Sequence, residues 1–202
     1  MNIITTNCLG GFIYRDILKQ EYKNPFIWTG CACDFVDFLK NFDKINFDNI
    51  NIISSNNKHD GIMYIVIDEK YKWRNMHVKF SANDDIPRYY NFHEVYYNKP
   101  WEYIYNNYMK RLKRMKNEKQ MCVIIYEPCI NAEIFKEIAN VCYNKKIPCL
   151  FFTDVVNINN FYIKTIYTKP LNPGNWFKII IEKYSTDILN FINTYEIRDY
   201  NI

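Results

Sequence analysis

The sequence predicts an α/β fold, a single domain over residues 1–202 in which a mixed, mostly parallel sheet is flanked by helices. Three observations carry that expectation. The apolar, β-favouring runs 121–126 and 148–153 are separated by a stretch of helical periodicity, the order of a parallel β-α-β unit. A third such run, 2–5, opens the chain and passes directly into another amphipathic stripe. No internal repeat, low-complexity tract or linker divides the 202 residues, a length that suits one domain with a substantial core.

Each element has a local reason. After the strand 2–5, Leu9, Phe12, Ile13 and Ile17 recur at the spacing of one helix face. The segment Tyr22-Lys23-Asn24-Pro25-Phe26-Ile27-Trp28 reads as extended and aromatic, because Pro25 discourages helix before it. A second helix is expected over 34–42, where Phe35, Phe38, Leu39 and Phe42 share a face. Residues 49–54 suit a strand, followed by a polar loop. The β-branched run 62–67 reads as a buried strand, with 76–80 as its partner across a charged turn. The stretch 81–97, rich in Asp and Tyr, reads as an irregular loop long enough to be functional. Pro100 then opens the clearest helix, with Trp101, Ile104, Tyr105, Tyr108, Leu112 and Met115 as its stripe and an end near Asn117. The strand 121–126, a helix over 134–142 capped by Asn131, the strand 148–153, an edge strand over 161–167 and a helix over 176–195 complete the chain.

Composition bounds the function. The chain is 49% hydrophobic and 18% aromatic, which excludes disorder. Its net charge of +4 is too weak to imply nucleic acid without a concentrated basic patch. The run Lys110-Arg111-Leu112-Lys113-Arg114-Met115-Lys116 is such a candidate, but on a helix its charges fan around the solvent side. Arg111 alone flanks the apolar stripe, where it can pair with an internal acid or grip an anionic substrate. No window is long and apolar enough for a membrane span, and no basic-then-apolar leader opens the sequence. Seven Cys without an export signal point to free thiols in a reducing, cytoplasmic compartment. Their spacing, with three His in the chain, does not form a zinc site, and no other cofactor is implied.

The chemistry expected of the chain centres on Cys8, placed where the first strand gives way to a helix. Unpaired N–H groups and the positive end of a helix dipole favour a thiolate there, the reactive form of cysteine. Backbone N–H groups from Cys8 to Gly10 would form an oxyanion hole. Gly10 and Gly11, lacking Cβ, allow another group to approach the backbone and mark a substrate-binding turn, with phosphate as a further candidate. Among the three His, His59 falls in a polar loop and His77 in a strand, so His93 is the candidate acid/base. Asp154, at the carboxyl end of the strand 148–153, is the candidate that orients the imidazole, with Glu94 as competitor. Arg111 joins the glycines as a substrate-binding candidate.

The segments Thr6-Asn7-Cys8-Leu9-Gly10-Gly11-Phe12-Ile13-Tyr14, Asn24-Pro25-Phe26-Ile27-Trp28 and Asp34-Phe35-Val36-Asp37-Phe38-Leu39 resemble a family often encoded near exopolysaccharide and capsule genes. They are also similar to a related group described as papain-like cysteine peptidases. Both groups carry an Asn-Cys or neighbouring Cys before a helix, a Pro-Phe segment, a later His and a helix with spaced arginines. Here those features fall on Cys8, Pro25-Phe26, His93, and Arg111 with Arg114, within residues 1–45 and 88–155. Leu9 stands where Trp is common and Glu94 where Asp often follows the His. The resemblance implies a Cys–His site acting as a hydrolase or acyl transferase on a peptide or glycan-linked acyl group. The competing expectation is a protein of surface-polysaccharide synthesis that binds a nucleotide-sugar or transfers a glycan. An accessory protein without chemistry is the third.

Overall fold

The computed structural model describes every residue except 32–33, 55–61, 82–83, 90–100, 119, 172–174 and 197–202. Strand β1 (Asn2–Ile4) leads into α1 (Leu9–Phe12), which continues as a π-helical segment, Ile13–Leu18, closed by Lys19 in the left-handed region. Then come β2 (Thr29–Cys31), α2 (Phe35–Asn41) with a 3₁₀ turn Phe42–Lys44, β3 (Ile50–Ser54), β4 (Ile62–Ile67), β5 (Tyr71–Ser81) and β6 (Asp84–Tyr89). The chain ends with α3 (Trp101–Asn117), β7 (Met121–Ile125), α4 (Ala132–Asn144), β8 (Cys149–Thr153), β9 (Ile163–Tyr167) and α5 (Trp176–Glu196).

The α/β expectation holds. β1, β7, β8 and β9 form a wholly parallel sheet in that order, with β9 on the expected edge. A second sheet is antiparallel, in the order β2-β5-β4-β3, with β6 on β5. Three local readings change. Residues 29–31 form a strand that the extended aromatic segment hid, and β5 begins at Tyr71, well before residue 76. Residues 84–89 of the expected irregular stretch pair with β5, through Val78↔Tyr89 and Lys79↔Arg88. The three-residue turn between β4 and β5 places Asp68 and Glu69 at φ of 53° and 58°, closed by the Lys70 N–H donating to the Ile67 carbonyl at 3.2 Å.

The parallel sheet is covered on both faces, which is why its strands read as continuous apolar runs. Side chains alternate: Ile3, Cys122, Ile124, Leu150 and Phe152 pack with α1, the Trp28 segment and α5. Ile4, Val123, Ile125, Cys149 and Phe151 face the other way, onto α2, α3, α4 and the antiparallel sheet. Edge strand β1 is protected by side chains. The Tyr14 hydroxyl accepts from the Ile3 N–H at 3.1 Å and donates to the Met1 carbonyl at 3.0 Å, while the Asn24 amide donates to the Ile3 carbonyl at 3.0 Å. The Asn2 amide donates to the carbonyls of Met115 and Glu118, which anchors the end of α3 at the amino edge of the sheet. Several charges of the basic helix are used within the fold: Arg114 pairs with Glu21 at 2.7 Å and Lys116 with Asp48.

Candidate functional site

The turn from β1 into α1 is fixed by side chains rather than by the helix. Thr5 Oγ1 accepts the Gly10 N–H at 3.3 Å and donates to the Asn7 carbonyl at 2.5 Å. Asn7 Oδ1 accepts the Leu9 N–H at 3.1 Å, and its Nδ2 donates to the Tyr126 carbonyl at 2.6 Å. The Glu127 carboxylate lies within electrostatic reach of the same Asn7 side chain. The Thr6 carbonyl accepts the Cys31 N–H at 3.0 Å, tying the turn to β2. Asn7 thus clamps the Cys8 backbone to the end of β7, at the carboxyl edge where open α/β sheets carry their sites.

Cys8 occupies the N-cap of α1 and is partly exposed, but its environment opposes ionisation. Burial pushes its thiol up to about 11; its own N–H, directed at the sulfur, works the other way without offsetting this. The expected activation is therefore not found in the resting protein. The physical reason is burial, because the thiol packs beside the apolar cluster of Phe12 and Trp28. The expected oxyanion hole is corrected too, because the N–H groups of Leu9 and Gly10 already donate to Asn7 and Thr5.

The glycines serve packing. A Cβ on Gly11 would lie 2.2 Å from Cε2 of Trp28, so the group that approaches this backbone is the chain's own indole. Gly10 is buried against Thr5 and Ile27, and its N–H is engaged. Neither glycine is open to a substrate or a phosphate. Arg111 is buried on α3, its guanidinium 4.8 Å from the Tyr22 ring centre and 4.9 Å from that of Tyr108. Those two rings pack against the guanidinium as cation–π partners. Asp154 is exposed just past β8, as its position predicts. His93, Glu94 and His59 lie outside the described residues, and His77 is carried on β5.

The carboxyl edge brings together groups that sequence reasoning did not weigh. Tyr126 follows β7, its hydroxyl accepting the Leu171 N–H at 2.7 Å and its ring stacked on Trp176 at 5.0 Å. Its phenol is raised by burial, and the carboxylates of Glu127 and Asp154 push in the same direction, which places both acids within electrostatic reach of it. Glu127 is half-buried, and desolvation raises its pKa against the opposing influence of the Asn7 side chain. The signal for Glu127 was available: it follows the strand 121–126 just as Asp154 follows 148–153.

Among the described residues no group of three or more His, Cys, Asp or Glu could hold a metal ion, and no helix is long and apolar enough to cross a membrane. Cys8, Cys31, Cys122, Cys129, Cys142 and Cys149 are free thiols. The fold and this edge define an α/β protein with a cysteine beyond its first parallel strand. No family model matches the chain, and no curated protein or solved structure matches it.

Proposed function

We propose that the protein is a thiol-dependent hydrolase or acyl transferase of papain-like type, acting on a peptide or glycan-linked acyl group at the carboxyl edge of the parallel sheet. The observation that supports this reading is the placement of Cys8, a partly exposed thiol directly past β1 and clamped by Asn7 beside Glu127. A thiol at about 11 is ionised in roughly one molecule in ten thousand at pH 7, so the attack needs a base. His93 takes the proton from Sγ as sulfur bonds to the acyl carbon, then delivers it to the departing group. Water or an acceptor hydroxyl then attacks the thioester and returns the sulfur to its thiol form. Asp154 orients the imidazole, with Glu127 and Glu94 as the other carboxylates available for that role.

Iodoacetamide alkylation at pH 7, mapped by mass spectrometry, tests the assignment. The expected result is that Cys8, quiet in the resting protein, is alkylated more slowly than exposed Cys129, and that His93→Ala slows Cys8 at least a further tenfold while leaving Cys129 unchanged. Equal reactivity of the seven thiols refutes it.

One observation favours a second reading, the binding of a nucleotide-sugar or similar anion. Lys110, Arg111 and Arg114 line a cavity of about 290 Å³ beside Gln20, Glu21 and Tyr22. Under that reading UDP-glucose raises the melting temperature and Arg111→Met abolishes the rise. No shift with UDP-glucose counts against it.

A further inference from the structure

A cavity of about 700 Å³ opens at the amino edge of the parallel sheet, at the opposite ends of the strands from Cys8. Its volume suits a small ligand. One wall is aromatic. Phe161 is 57% exposed and meets Tyr162 edge-on at 4.8 Å, and Tyr162 lies 6.4 Å from Tyr195 with the two rings 24° apart. The Tyr195 hydroxyl donates to the Phe161 carbonyl, which ties the end of α5 to the segment before β9. Polar groups form another part of the wall: Asp43, Lys145, Lys146 and Asn144, with Gln120 at the base of β7.

Two features of this wall decide the ligand class. Lys145 is paired with Asp43, so the cavity carries a carboxylate and one further cation, Lys146, which makes no ion pair among the described residues. With Asp43 neutralised by Lys145, one further lysine is too little charge to hold a phosphate-rich ligand. Aromatic faces beside amide, hydroxyl and single charged groups instead match a sugar, whose C–H face lies on a ring while its rim of hydroxyls takes hydrogen bonds.

The second feature is backbone strain. α4 ends in a Schellman motif, with Ile147 N–H donating to the Cys142 carbonyl at 2.8 Å and Lys146 N–H to that of Tyr143 at 3.1 Å. The residue between, Lys146, has φ 56°, a position that glycine fills best. A lysine held there at a conformational cost, exposed and on the cavity wall, places an ammonium where a glycine would leave none.

We propose that this cavity is a saccharide-binding site for one or two sugar rings, with Phe161 and Tyr162 as the stacking platform and Lys146 as the polar contact. It does not depend on the Cys8 chemistry, and the Cys8→Ser variant should bind as the parent does.

Saturation-transfer difference NMR with cellobiose, N,N′-diacetylchitobiose and glucuronic acid tests it on the full chain, with AMP as the contrasting probe. The expected result is transfer to the ring C–H protons of at least one sugar. Phe161→Ala should weaken that binding about tenfold with the melting temperature little changed. Lys146→Gly should raise the melting temperature while weakening the same sugar. No transfer to any of the three sugars, full binding by both variants, or binding of AMP in place of sugars overturns the proposal.

Discussion

Replacing Gly11 by Ala sets two effects against each other, and the structure decides between them. Helix propensity alone makes Ala better than Gly by about 1 kcal/mol. The new Cβ, however, would sit 2.2, 2.4 and 2.6 Å from Cε2, Cδ2 and Cζ2 of Trp28. Carbon atoms rest at about 3.5–4.0 Å, so the indole or α1 must shift by more than about 1 Å. The indole has little freedom to do so. It is fully buried, Phe12 meets it edge-on at 4.8 Å, and its backbone is held at φ 59°. Overpacking of a filled core costs about 1–3 kcal/mol, and this site lies at the upper end. Net of propensity, the variant should lose about 2 kcal/mol, or roughly 4–8 °C in melting temperature for a domain of this size. Gly10→Ala is the internal control. Its Cβ meets Thr5 Oγ1 at 3.2 Å and Ile27 Cγ2 at 3.7 Å, and stability should change by less than about 1 kcal/mol. Urea denaturation followed by tryptophan fluorescence measures both. A Gly11→Ala protein as stable as the parent would show that Trp28 does not fill that space.

Three further outcomes are expected. Tyr14→Phe removes the partners of the Ile3 N–H and the Met1 carbonyl on the buried edge of β1, and should cost about 2–4 kcal/mol by chemical denaturation; a loss below about 0.5 kcal/mol would mean that the hydroxyl does not protect that edge. Arg111→Met, which keeps the stem but loses both ring contacts, should cost about 1–3 kcal/mol, and Arg111→Lys should recover only part of it. Glu127 has a folded pKa raised above its ordinary value, so the folded state holds the proton more tightly. Its contribution favours folding at low pH and is lost as pH rises through the folded pKa. Glu127→Gln should therefore raise the melting temperature at pH 7, with the gain closing toward about pH 4; a gain that does not vary with pH would contradict the assigned cause.

The parallel sheet was legible because its strands are short apolar runs followed by Glu127 and Asp154, and because helical stripes lie between them. The antiparallel sheet was less so. β2 is three residues, Thr29-Gly30-Cys31, with no alternation to read, and it exists because Cys31 pairs with Trp73 on one side and donates to Thr6 on the other. β6 contains Pro87 and two adjacent aspartates, poor strand formers that pairing with β5 overrides. At the candidate site, the position of Cys8 at the strand-to-helix turn was readable and its protonation was not. Sequence spacing reveals a helix start, but not that Thr5 and Asn7 would take up its donors, nor that the helix would widen into a π segment after four residues. Gly10-Gly11 carried the same ambiguity: the pair signals a close approach without saying what approaches.

That distribution of donors bears on any chemistry at Cys8. An oxyanion hole works when N–H groups point at unoccupied space before the reaction begins. Here Thr5 Oγ1 holds the Gly10 N–H and also donates to the Asn7 carbonyl, while the Asn7 side chain holds the Leu9 N–H and reaches Tyr126. Rotating either side chain to free one N–H breaks a second bond in the same turn, so opening both donors means moving Thr5 and Asn7 alike. An oxyanion hole at this turn would therefore need Thr5 and Asn7 both to let go, and in the resting protein the quiet Cys8 thiol sits beside donors that are occupied.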